Sequence, residues 1–163
     1  MDLKKSKFIM NFLFVLSSII IIVIDQVTKY MVNTKIPLNS SVEIIPNIIF
    51  ISHIKNSGAA FGIFQNRTNV FIVISIIAII LIIILKIKLN LDSIFYNISL
   101  GFILGGAIGN LIDRIVFREV IDFIHLRYFA VFNVADSFIC IGFGIVIILI
   151  LKNYFKRGAN KKN

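Results

Sequence analysis

The sequence predicts an all-α membrane protein, four transmembrane helices with a small extracytoplasmic β-sheet cap, and three observations carry that expectation. The chain has 163 residues, 58% of them hydrophobic, and a mean hydropathy of +0.97, more apolar surface than a soluble domain of this size can hide from water. Four stretches, roughly residues 8–24, 70–85, 93–111 and 134–151, come near the ~20 residues needed to cross ~30 Å of hydrocarbon. The only loop long enough for structure of its own is the outer interfacial one, residues 32–69. With no repeat, low-complexity tract or composition break, residues 1–163 read as a single integral membrane domain.

The first span follows Lys4, Lys5 and Lys7 and so imitates a secretory signal, but no small-residue cleavage pattern appears, and the run leads into Asp25-Gln26-Val27-Thr28-Lys29. A retained helix is expected. Asp25 and Lys29, four residues apart, share a helix face and neutralise each other near the interface. In the loop, Asn47 to Lys55 is rich in β-branched residues and lies between Pro46 and the turn signal Asn56-Ser57-Gly58. That predicts a short amphipathic sheet at the outer interface, with His53 exposed on it. The second span has an apolar middle. The third carries Gly101, Gly105 and Gly109 at intervals of four, so they line one face and admit a neighbouring backbone; this helix should be central. The fourth contains Cys140, the single cysteine, among Ile139, Ile141 and Phe143; it can form no intrachain disulfide and is expected as a small buried hydrophobe.

The net charge of +9 does not point to nucleic acid, because ten of the seventeen basic residues fall in three places. These are Lys4, Lys5 and Lys7 before the first span, Lys86 and Lys88 after the second, and Lys152, Lys156, Arg157, Lys161 and Lys162 after the fourth. The excess of lysine and arginine on the cytoplasmic side of membrane proteins then puts both termini inside, and the loops 32–69 and 112–133 outside.

Carboxylates near hydrocarbon are costly unless partnered, which makes the outer acids informative. Asp122 interrupts the apolar run Val120 to Ile124, where burial raises a carboxyl pKa. Asp136 follows Asn133-Val134-Ala135 at the start of the fourth span, where Asn133 can cap the helix and backbone N–H groups favour negative charge. Two carboxyls with separated acidities can activate water against an amide and protonate the departing amine. The alternative is structural: Asp136 caps, and Asp122 pairs with Arg114 or Arg118. Spacing alone leaves these two open. At the outer end of the third span Asn110, Asp113 and Arg114 share a face, with Asp113 expected to tie Arg114. Asp25 is a third candidate acid for a pair, though local pairing with Lys29 accounts for it.

No serine-nucleophile elbow, zinc-binding His-Glu-x-x-His helix or phosphate-cradling loop occurs, and His53 and His125 are the only histidines, so neither a metal nor a cofactor is expected. A different class, a small proton- or ion-coupled transporter, would also place acids in helices. Such a relay would string ionisable groups through the bilayer, whereas Asp113, Asp122 and Asp136 gather at one face.

Five blocks, in order along the whole chain, resemble the bacterial lipoprotein signal peptidases, or type II signal peptidases. They are Asp25 to Lys29, Asn56-Ser57-Gly58-Ala59-Ala60-Phe61-Gly62, Gly105 to Arg114, Val120-Ile121-Asp122-Phe123, and Phe132-Asn133-Val134-Ala135-Asp136-Ser137. The resemblance implies a membrane aspartyl protease of the bacterial cytoplasmic membrane, which cuts diacylglyceryl-modified prolipoproteins just before the lipidated cysteine. It assigns the catalytic pair to Asp122 and Asp136. It puts Asn56, Asn110, Arg114 and Asn133 around the dyad or the substrate backbone, Asp113 as a supporting acid, and Asp25 and Lys29 in structural or supporting roles. The partners expected are lipid-modified prolipoproteins and membrane lipid, with no nucleic acid, and the protein is expected to be a monomer. Two departures bear on the outer flap and on substrate fit: Arg118 stands where members commonly have glycine, and the connection from Phe123 to Ala135 is shorter than in many relatives.

Overall fold

Hydrocarbon offers backbone groups no water to bond, so each apolar run must close its hydrogen bonds within itself as a helix. The computed structural model, which describes residues 3–58, 67–88 and 93–160, contains four helices long and apolar enough to cross a membrane. In chain order the elements are α1 (Leu3–Lys35), β1 (Ser41–Ile45), β2 (Ile49–Asn56), α2 (Thr68–Lys88), α3 (Ile94–Val116), β3 (Val120–Leu126) and α4 (Val134–Asn160). Residues 59–62 of the second motif block, the rest of the loop to residue 66, and Lys161 and Lys162 lie outside the described residues.

The first helix runs well past the expected end at residue 24. Asp25 and Lys29 extend it because they neutralise each other, and nothing breaks the helix until Pro37 removes a donor and restricts Ile36. Val32, expected in the loop, is therefore helical and buried beneath the sheet with Ile121 and Phe123.

The third helix is the most buried of the four, and its glycines are the reason. Gly101 faces Phe14 and Ser17 of α1, Gly105 faces Ser18, and Gly109 faces Asp25; on the opposite side Gly106 faces Ala135 and Ile139 of α4. A Cβ at Gly105 would sit 2.6 Å from the Ser18 carbonyl oxygen and 2.9 Å from the Ile21 Cβ, so α1 and α3 could not keep their spacing. Gly105→Ala is therefore expected to destabilise the bundle by about 1–3 kcal/mol, read as a lower midpoint of thermal unfolding in detergent. A cluster of Phe14, Ile82, Leu100, Ile103 and Leu104 closes the other end of the same interface. The outer faces of α2 and α4 leave Ile and Leu uncovered, as lipid contact requires.

The sheet is antiparallel throughout, in the order β1-β2-β3. Its third strand falls in the region expected as plain loop, because Val120 to Phe123 are all buried and show no alternation to read. Opposite it, Ile54 pairs with Asp122 and Asn56 with Val120, which brings the Asn56 side chain within reach of Asp122.

Two residues are placed differently from expectation. His53 is buried, 3% exposed, because the β2–β3 register shifts between Ile51 and Ile54, leaving Ser52 and His53 both covered; His53 Nδ1–H donates to the Ile36 carbonyl at 2.8 Å, beyond the last turn of α1. Cys140 is exposed. The face of α4 that meets α3 is built from Ala135, Ile139 and Gly142, and Cys140 falls one residue off it.

Candidate active site

The polar centre is assembled where α4 begins. Asn133 caps that helix: its Oδ1 accepts the Asp136 N–H at 2.9 Å, and its own N–H donates to Asp136 Oδ2 at 3.4 Å, a reciprocal pairing that fixes both side chains. With Oδ1 committed, the Asn133 Nδ2 group donates to Asp122 Oδ1 at 2.7 Å and to Asn110 Oδ1 at 3.1 Å. Asn110 in turn donates from Nδ2 to Asp136 Oδ1 at 2.7 Å. The other oxygen of Asp122 accepts from Asn56 Nδ2 at 2.8 Å, while Asn56 Oδ1 takes the Gly58 N–H at 3.0 Å. One connected set of amides therefore binds both carboxylates, from β2, α3, β3 and α4.

Beneath it lies a buried ion triad. The Lys29 ammonium lies 2.8 Å from Asp25 Oδ2 and 2.9 Å from Asp113 Oδ2, and it donates to Asn110 Oδ1 at 3.0 Å. An ammonium only donates, so Asn110 must turn its oxygen toward Lys29 and its nitrogen toward Asp136. Both acids also hold backbone: Asp25 Oδ1 accepts the Ala135 N–H at 2.8 Å, and Asp113 Oδ2 the Ile121 N–H at 3.2 Å. The triad thus anchors the entry to α4 and the start of β3. Gln26, to which no role was assigned from its position, adds a donor to Asp113 Oδ1 at 3.0 Å; its place beside Asp25 in the polar stretch Asp25 to Lys29 was the available signal.

The expected tie between Asp113 and Arg114 is not formed, because Asp113 points toward α1 and Arg114 toward the cavity. Arg114 lies over the Phe71 ring at 5.3 Å, and its Nη1 donates to the Asn110 carbonyl at 3.4 Å. Nor does Asp122 pair with an arginine: among the described residues both salt bridges belong to Lys29. Arg118 instead donates to Asn69 Oδ1 at 3.1 Å, with its backbone at φ 64°, the left-handed region that favours glycine.

Asp122 and Asp136 line one cavity of about 550 Å³. Asn56, Asn110 and Arg114 complete its polar part, and Phe129, Val131, Phe132 and Ile141 form an apolar part that sequence reasoning did not single out. Burial pushes the Asp122 carboxyl up to about 6; the nearby Asp136 charge adds to the rise, while hydrogen bonds from Asn56 and Asn133 and the Lys29 charge oppose it. A buried carboxyl of raised pKa facing the same cavity as a second, helix-capped one is the arrangement needed for paired acid and base work.

The chain matches the family model for signal peptidase (SPase) II over residues 17–152. Two solved structures, each described as a bacterial membrane enzyme determined by the in meso method, are similar to it. The first has a TM-score of 0.82 and 35% identity, covering 86% of this chain and 88% of that one. The second has a TM-score of 0.78 and 36% identity, covering 85% of this chain and 92% of that one.

Proposed function

The chain belongs to the signal peptidase II family, multi-pass inner-membrane aspartic peptidases that cleave lipoprotein signal peptides, and on that premise we propose that Asp122 and Asp136 are its catalytic dyad. The observation that carries this reading is that both carboxyls line one cavity and are joined through Asn133, whose side-chain amide donates to Asp122 and whose backbone N–H donates to Asp136, with Asn110 donating to Asp136 beside it. The substrate is a diacylglyceryl-modified prolipoprotein, cut just before the lipidated cysteine. Its acyl chains stay in lipid, while the backbone crosses the polar part of the cavity beside Arg114. The transporter alternative falls with the family assignment.

In this scheme the active form carries one proton on Asp122, because burial disfavours its charged form, and that form predominates below about pH 6. Asp136, fixed at the start of α4 by Asn133 and Asn110, takes a proton from the attacking water as Asp122–H donates to the scissile carbonyl oxygen. Asp136 then gives its proton to the departing amine while Asp122 takes back a proton from the collapsing diol, which leaves the carboxylic acid product and restores the dyad. Both termini are cytoplasmic and the site faces outward, consistent with the distribution of lysine and arginine.

The test is to incubate the purified chain in detergent with a diacylglyceryl-modified precursor peptide and identify products by mass spectrometry. A product beginning at the modified cysteine is expected; equal cleavage of the unmodified peptide, or cleavage at another bond, would sink the substrate assignment. A pH profile tests the roles. The fraction of Asp122 that is protonated falls as pH rises through about 6, so kcat/KM should decline on the alkaline side, by about tenfold per pH unit once past the midpoint. The apparent midpoint belongs to the pair, and an activity that climbs steadily through pH 6 would remove Asp122 from the acid role.

A further inference from the structure

A second cavity, of about 370 Å³, opens where α1 ends against β2, and Lys35, His53 and Lys55 line it together with Asn33, Thr34 and Leu38. No carboxylate lines it, and among the described residues the salt bridges are those of Lys29, so neither Lys35 nor Lys55 has an acid partner. A lysine in the last turn of a helix needs no further reason, since the helix C-terminus favours a cation. Lys55 and His53 come from a different element and lack that reason. The Ile36 carbonyl can only accept, so His53 Nδ1 carries the hydrogen of their bond. Its Nε2 is buried and has no hydrogen-bond partner, a vacancy that costs free energy in a folded protein.

We propose that this cavity binds the phosphate group of a membrane lipid. Two lysines supply charge, and because Nδ1–H is already committed to Ile36, a bound phosphate takes His53 as the imidazolium, whose Nε2–H donates to a phosphate oxygen; Lys35 from α1 and Lys55 from β2 are the charged groups that line the cavity with it. A lipid rather than a free anion is favoured by position. Lys35 ends a spanning helix, where headgroup phosphates lie, and Tyr30, Met31 and Leu38 are exposed apolar surface beside it, along which acyl chains can run. The site is separate from the dyad cavity and does not depend on the reading of that cavity.

The test uses the full chain in phosphate-free maltoside micelles, with ¹⁵N-histidine NMR as the readout, since His53 and His125 are the only histidines and His125 serves as an internal control. Titration with a short-chain phosphatidylglycerol should shift the His53 Nε2 resonance saturably and leave His125 in place. Each lysine near an anionic lipid surface contributes about fivefold in affinity, so K35Q/K55Q should weaken the response by about 30-fold. An Nε2 resonance that does not move, a K35Q/K55Q variant that titrates like the parent, or the same shift from an uncharged diacylglycerol would overturn the proposal. Saturation by inorganic phosphate at the same or lower concentration would overturn the lipid as occupant.

Discussion

Asp136→Asn and Asp122→Asn are each expected to lower kcat/KM for a lipid-modified precursor by about 10³-fold or more while the protein still inserts and folds. At Asp136 the substitution removes the base and leaves one oxygen to serve the two donors, Asn110 Nδ2 and the Asn133 N–H, with a capping cost of about 1 kcal/mol. At Asp122 the stability change has the opposite sign. Its folded-state pKa is raised from 3.8 to about 6, so the folded chain binds the proton more tightly than the unfolded one, and stability present below pH 4 is lost as pH rises through 6. An uncharged asparagine escapes that loss, so at pH 7 Asp122→Asn should be no less stable than the parent, a gain of up to about 3 kcal/mol being cut by the single oxygen left to serve Asn56 Nδ2 and Asn133 Nδ2. Inactivity can then be separated from unfolding by measuring cleavage and the thermal midpoint on one preparation. Substantial cleavage by either variant would end the dyad assignment.

Lys29→Met is expected to cost more stability than any other single change discussed here. It leaves Asp25 and Asp113, 0% and 1% exposed, adjacent in a dry interior with no cation between them. Removing one partner of a buried ion pair costs about 3–5 kcal/mol, and here two acids are stranded together. Asp25→Asn should cost less, since it keeps an oxygen for the Ala135 N–H and leaves Lys29 paired with Asp113. It should also lose stability more than chemistry, so a fully stable but inactive Asp25→Asn protein would contradict the division between triad and dyad. If the three groups act as a unit, Asp25→Asn in the Lys29→Met background, which removes one of the two stranded acids, should restore part of the lost midpoint. A Lys29→Met protein that unfolds at the parent temperature would refute the account.

The triad also shows where reading by residue spacing stops. Asp25 and Lys29 pair across one turn of α1, which i,i+4 spacing predicts and the 2.8 Å contact bears out. That the same ammonium reaches Asn110 and Asp113 of α3 depends on how closely two helices approach, and Gly105 and Gly109 permit that approach without specifying its rotation. The tie expected between Asp113 and Arg114 failed for the same reason: adjacent helical residues point about 100° apart, and α1 claimed the acid. Strand β3 was missed because burial on both faces erases alternation, and Cys140 because an apolar neighbourhood looks alike whether it lines a cavity or is packed in the interior.

Hydrocarbon tolerates only self-satisfied backbone and partnered polar groups, so the number of spans, the central glycine-lined helix and the short roster of polar residues were legible in the order of amino acids. Which polar groups meet was not. The amide set joining Asp122 to Asp136, the inward turn of His53 and the Lys29 link to Asn110 run between separate elements, and hydrogen bonds of 2.7–3.1 Å depend on helix rotation and strand register that no local pattern encodes.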